Sequence, residues 1–448
     1  MVSTPRWSAL ALPPSRALVV VACSLQLACV RAGFERQSRA VAPDRSAAGV
    51  DVGSGGRGRD ASARDRGARL DPSSPPSERD AGSRDALAEE APCPGGPTVF
   101  YTNMPARRVL GQADFVGSAA NRGGSATAAS LSRPLGVVVY GSKLLVADNR
   151  NNRLLVFDRE PASDGAAATA VIGQPDFTST AAMTSASTVS APQGLGLTGS
   201  ALFVAEWDSA RASLWPLDSL FSTPRLSTVF GQVDANSAVD VTTSVTPTSL
   251  GSVPSVLAVG SHYLVTDSDN HRVLVFDSTV GAPPAAIAAI GQPDLQSNGA
   301  GSLANQLNVP LGLATDGVRL AVVDAFNDRL LFFDQVPTTS GVAASSSWGS
   351  WGQGALNLDN PVGALSDGTR LFVADRGNDR VLVFNRWPTS PDQPPDVLIG
   401  QATYGTGEAN QGQGTVAAAN SLWGVHFLFY DGCRLFLSDT NNNRVLIY

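Results

Sequence analysis

Six times along the chain an acidic residue closes a short apolar run and an arginine follows five positions later. The pairs are Asp148 and Arg153, Glu206 and Arg211, Asp267 and Arg272, Asp324 and Arg329, Asp375 and Arg380, and Asp439 and Arg444. Five copies also place asparagine three positions after the acid, at Asn151, Asn270, Asn327, Asn378 and Asn442. A chain built on such a repeat must stack or close equivalent units, because one unit alone cannot bury its apolar face.

In the copy at residues 311–334, apolar runs fall at 311–314, 320–323 and 330–333, with Asp316-Gly317 between the first two. The runs have strand length and β-branched or aromatic content, and Asp-Gly is a hairpin signal, so each unit predicts three antiparallel strands in a meander. Between copies lies a second landmark, an apolar run ending in Gly-Gln, with its glycine at Gly111, Gly173, Gly231, Gly291, Gly352 and Gly400. A period of roughly 60 residues is too long for helical or leucine-rich solenoids and adequate for four strands with their loops. The expectation is an all-β chain, a six-bladed β-propeller of four-stranded antiparallel blades. The first Gly-Gln run precedes every three-strand unit, whereas the last unit ends the chain at Tyr448. The count balances if an N-terminal strand completes the C-terminal blade, closing the ring and removing two exposed edges.

Residues 1–29 read as an export signal, since Arg6 and Arg16 precede an apolar run at 17–28 that is too short to span a bilayer. Cys23 and Cys29 each follow alanine, as the lipidated cysteine of a bacterial lipoprotein does. Cys29 is the expected lipidation site, Cys23 the alternative, and a soluble secreted protein cleaved near Ala32 the plainer possibility. Residues 30–97 are rich in Gly, Ser, Pro, Ala, Arg and Asp. They cannot bury enough apolar surface to offset the entropy of ordering, so a disordered linker is expected. The propeller is assigned to 98–448. The net charge is -7, and beyond residue 98 there are 19 basic against 28 acidic residues. That balance opposes a phosphate-tracking surface, so nucleic acid is not an expected partner.

The units at 144–157, LLVADNRNNRLLVF, and 371–384, LFVADRGNDRVLVF, together with LVTDSDNHRVLVF and LFLSDTNNNRVLIY, resemble NHL repeats; AVVDAFNDRLLFF and FVAEWDSARASLW match less well. The resemblance covers about three-quarters of the chain and implies a six-bladed NHL-type propeller. Members of that family mostly recognise protein, RNA or glycan, and some related six-bladed propellers are lyases or hydrolases. The copy with Glu206 lacks the asparagine and has a weak third run, so its blade is expected to bend or open locally.

Six acid–arginine pairs around a ring read as a structural hydrogen-bond device, the acid accepting turn amides and the arginine bracing it. The glycine-rich stretch at 405–414 lacks the Gly-Lys-Ser/Thr ending of a phosphate loop. His262 and His271 fall in turns, and His426 interrupts an innermost strand where it could face the channel. One such histidine is too few for a zinc site. No cofactor is expected, with calcium or magnesium at the channel mouth as the alternative; Asp316, Asp367 and Asp431 are candidate ligands that their Asp-Gly turns already explain. Cys93 and Cys433 are expected to form a disulfide, since the Cys433 turn and the start of the N-terminal strand share one face. The long loops after each Gly-Gln ring the channel mouth and form the expected ligand surface. The leading expectation is therefore a monomeric, non-catalytic binding or scaffold module at the cell envelope that recognises a protein or polysaccharide. It would be an outer-membrane or cell-surface lipoprotein touching the membrane only through its anchor, or a secreted or periplasmic protein. The alternative is a metal-dependent lactonase or lyase.

Overall fold

The computed structural model describes residues 93, 96–279 and 284–448. The signal segment, Cys23, Cys29 and the linker up to residue 92 lie outside the described residues. Six four-stranded antiparallel sheets follow one another: blade 1 at residues 134–172, blade 2 at 192–230, blade 3 at 256–290, blade 4 at 310–348, blade 5 at 361–399 and blade 6 at 425–447. Blade 6 takes its outermost strand from Arg108–Leu110, which pairs antiparallel with Arg444–Ile447 in the register Arg108 to Ile447 and Leu110 to Val445. The closure read from the strand count is thus present, and no blade is left with three strands.

Each seam between neighbouring blades encloses its own apolar cluster. Val383 and Ile399 of blade 5 meet Leu437 and Leu446 of blade 6, and Val146 and Leu155 of blade 1 meet Phe436 and Val445 of blade 6. Alternate side chains of a strand point to opposite faces of its sheet, so every blade feeds two seams, and long apolar runs rather than polar alternation mark these strands.

The innermost strands open with a register slip. Pro134 pairs with Asp148, yet Val137 pairs with Val146, and the same slip recurs in blades 2, 4, 5 and 6. The slip brings adjacent innermost strands together so closely that a Cβ on Gly136 would collide with the Gln193 carbonyl, and one on Gly363 with the His426 carbonyl. Glycine is required there for close approach.

Two expectations need correction. In blade 4 the outermost strand, Ser346–Trp348, ends at Gly349, not at the Gly352-Gln353 landmark. Gly349 has the left-handed φ of +93° and packs on Leu358, as Gly400 packs on Leu422, whereas Gly352 lies within the loop and donates its N–H to the Leu358 carbonyl. The duplicated Trp-Gly hides this shift in the sequence. Blade 2 is also regular: its third strand, Arg211–Pro216, pairs along six residues with the second and carries the fourth. Ser213 supplies what the missing asparagine does elsewhere, donating to Glu206 Oε1 at 3.1 Å and accepting from Trp215 Nε1 at 2.9 Å.

Cys93 and Cys433 are disulfide-bonded, with Cα atoms 5.4 Å apart. The N-terminal segment is held beside this bond by Thr98, whose N–H donates to the Cys433 carbonyl and whose hydroxyl donates to the Tyr448 carbonyl.

Candidate functional site

The propeller has two unlike ends. On the loop face lie the acid–arginine hairpins and the long loops that follow each fourth strand; on the turn face lie the short Asp-Gly turns. The polar repeat residues organise the loop face. Asp148 Oδ2 accepts from Arg153 Nε at 2.8 Å and Asn151 Nδ2 at 2.7 Å, while its Oδ1 accepts the Ser132 N–H at 2.7 Å. The rest of the Arg153 guanidinium donates to the carbonyls of Phe177, Thr127 and Ser130, in the two loops on either side. Asp267 and Arg272, Asp375 and Arg380, and Asp439 and Arg444 repeat the pattern with side chains fully buried. Glu206 grips Arg211 with both oxygens, at 2.8 and 3.0 Å. Only Arg329, paired with Asp324, retains 16% exposure. Each device anchors the loops to the hairpin, and its charges are fully engaged in doing so.

Sequence reasoning missed two further rings. The glutamine of five of the six Gly-Gln landmarks is one: Gln112, Gln174, Gln232, Gln292 and Gln401 donate to the carbonyls of Asn443, Asn152, Ala210, His271 and Asp379. The second is set by the residue four positions after the acid, which turns left-handed and reaches the next blade. Asn152, His271, Asp328, Asp379 and Asn443 accept the backbone N–H of Ala191, Val309, Asn360, Gly424 and Arg133. These donors also have positive φ, a conformation that costs non-glycine residues about 1 kcal/mol or more and persists where surrounding contacts fix it. Recurrence of Asn, His or Asp at that offset was the available signal. Blade 2 has Ala210 there, so the seam between blades 2 and 3 lacks the link.

Departures from the repeat gather on one arc of the channel mouth. The residue after the acid is Asn149, Ser268 or Thr440 in three blades, each bonded to the carbonyl of the proline that opens the next innermost strand. In blade 5 that position is Arg376. Blade 1 opens with Arg133, and blade 6 carries His426 in the innermost strand between them. Burial drives the His426 pKa well below the ordinary imidazole value, and the Arg376 and Arg133 guanidiniums push it the same way, so the ring is neutral. His426 Nδ1 lies 2.8 Å from the Gly424 carbonyl. Beside them Asp379 accepts the Gly424 N–H at 2.5 Å. Burial pushes its pKa up to about 8, with Asp439 and Asp375 adding to the rise and the Gly424 N–H and Arg376 opposing it.

Phe427 is a further departure from the repeat. Blades 1, 2, 4 and 5 have Gly136, Gly194, Gly312 and Gly363 at the slip, and blade 3 has Ser255. The Phe427 ring lies 3.6 Å from where a Cβ on Gly194 would stand. Blades 6 and 2 are not neighbours, so this ring reaches past blade 1 inside the channel.

The other sequence candidates lie elsewhere. Asp316, Asp367 and Asp431 are on the turn face; each accepts the amides of its own turn and pairs with the arginine three positions on, at 2.7, 2.7 and 3.3 Å. Among the described residues no three His, Cys, Asp or Glu side chains converge as a metal set. His262 is at the turn face, opposite Asp277. The stretch at 405–414 packs against the hairpin, with Asn410 bonded to Asn442. No described helix is long and apolar enough to cross a membrane.

No family model and no curated protein matches the chain. Solved structures share the architecture. A putative 6-phosphogluconolactonase from Bacteroides uniformis is 13% identical, over 72% of this chain and 82% of that one, with a TM-score of 0.40. A catalytically inactive virginiamycin B lyase from Staphylococcus aureus with quinupristin is 9% identical, over 70% and 80%, with a TM-score of 0.37. The glutaminyl cyclase of Myxococcus xanthus is 11% identical, over 56% and 88%, at 0.31. Likeness at this level concerns the fold and leaves chemistry to the residues.

Proposed function

We propose that the chain is an NHL-type propeller acting as a non-catalytic binding module at the bacterial cell envelope. Its loop face recognises a protein or glycan through an acidic group seated in the channel mouth. The observation that carries this reading is the convergence of Arg133, Arg376 and His426, from three blades, at positions where other blades have small or neutral residues. Departures from a consistent structural pattern are where function is expected, and arginine is the side chain suited to carboxylate recognition. The six repeat acids are held by arginines and amides, which favours holding a ligand over processing one. In this reading the chain is exported and monomeric, anchored through Cys29 or Cys23 or released, and binds no nucleic acid.

The test is retention of envelope components on the full chain, with soluble peptidoglycan fragments, acidic polysaccharide and envelope proteins offered separately. Retention of one class, lost in the Arg133→Ala/Arg376→Ala double variant at unchanged unfolding midpoint, supports the proposal. Retention that survives the double variant, or turnover of a lactone without retention, overturns it.

A further inference from the structure

The seam between blades 2 and 3 also has an end on the turn face. There, far from the channel mouth, a cavity of about 600 Å³ opens between the two blades. That volume falls within the range of small-molecule sites. Its apolar lining includes Leu214, Pro216 and the half-buried ring of Tyr263, with Phe230 itself buried. Phe230 is fixed there by edge contacts with Phe276 and Tyr263, at centroid separations of 5.0 and 5.9 Å.

The polar groups of the lining are disengaged among the described residues, in contrast to the loop face. Tyr140 and Tyr263 line the cavity, and neither phenol hydroxyl bonds to another described residue. Asp277 uses Oδ1 for the Thr279 N–H and hydroxyl, at 2.8 and 2.6 Å, which leaves Oδ2 for a ligand. Asp218 makes no hydrogen bond among the described residues. Ser200 and Ser278 add hydroxyls at the rim, and no lysine, arginine or histidine contributes to the lining.

We propose that this cavity binds a neutral sugar ring. A pyranose has one apolar C–H face and a rim of hydroxyls, each both donor and acceptor. The Tyr263 ring suits the apolar face, the carboxylate oxygens of Asp218 and Asp277 accept from ring hydroxyls, and the phenols donate to them. The absence of a cation among the lining residues selects against acidic sugars, since their carboxylate would face Asp218 and Asp277 unpaired. The site is independent of the channel mouth in position and in charge.

The experiment is ligand-observed NMR and calorimetry on the full chain with the methyl glycosides of glucose, galactose, mannose and N-acetylglucosamine. Glucuronate and cyclohexanol serve as the acidic and apolar controls. At least one glycoside binds with a dissociation constant in the millimolar range or tighter, ahead of both controls. Tyr263→Phe and Asp277→Asn each weaken that binding at least about fivefold, the loss of one hydrogen bond, while the unfolding midpoint is unchanged. Arg133→Ala/Arg376→Ala leaves it unaltered, which separates this site from the channel mouth. The proposal is overturned if no glycoside binds, if glucuronate or cyclohexanol binds as tightly, or if both single variants bind like wild type.

Discussion

At the scale of the residue, the loop face is governed by charges that are buried yet satisfied. Burying an ion pair brings little net stability, because desolvation offsets the attraction, but removing one partner strands the other at a cost of about 3–5 kcal/mol. Arg272 is fully buried and donates to Asp267 and to the carbonyls of Leu295, Thr246 and Ser249. Arg272→Met should therefore lose stability in that range by denaturant unfolding. Arg329→Met, at the partly exposed position, should lose clearly less; equal losses would show that burial is not what sets the cost. Asp379 gives a pH-dependent counterpart. Its folded pKa of about 8 lies above the ordinary carboxylate value of 3.8. An unfolded chain releases this proton near pH 4 and the folded chain retains it to about pH 8, so the Asp379 contribution to stability declines as pH rises through that window. Asp379→Asn keeps the acceptor for Gly424, and asparagine already occupies the equivalent left-handed positions at Asn152 and Asn443. The variant should gain stability relative to wild type as pH rises from 4 to 8, measured by unfolding at each pH; a difference that does not vary with pH would contradict the raised pKa.

At the scale of the element, closure depends on three residues of strand, Arg108–Leu110, and on the disulfide beside them. The bond spans 340 positions of chain, and the chain-entropy account assigns such a loop about 4–5 kcal/mol after discounting residual structure. Cys93→Ser, or reduction of the native protein, should lower the unfolding midpoint, and reductant should have no further effect on the variant. An unchanged midpoint would mean that strand pairing alone holds the ring. The blades, the closing strand and the cysteine pair were legible because they rest on local patterns: strand-length apolar runs, Asp-Gly turns and a count of strands. Gly349 was not legible, since Gly352 follows a second Trp-Gly and carries the glutamine seen in the other copies. Ser213 was not, because it replaces the blade 2 asparagine from the next strand, across the hairpin. Arg133 and Arg376 lie far apart in sequence and meet only once the ring closes, so averaging over copies conceals them.

At the scale of the whole molecule, two kinds of polar residue share one face. Those that repeat hold the loops in place, and in the proposed function those that break the repeat, Arg133, Arg376 and His426, meet a ligand at the channel mouth. The two roles separate in a paired comparison of Arg329→Ala with Arg376→Ala, reading for each both the unfolding midpoint and the retention of the envelope component held by the wild-type chain. Arg329→Ala should lower the midpoint and keep retention below that midpoint, whereas Arg376→Ala should keep the midpoint and lose retention; the reverse pattern, or loss of both properties in both variants, would contradict the assignment.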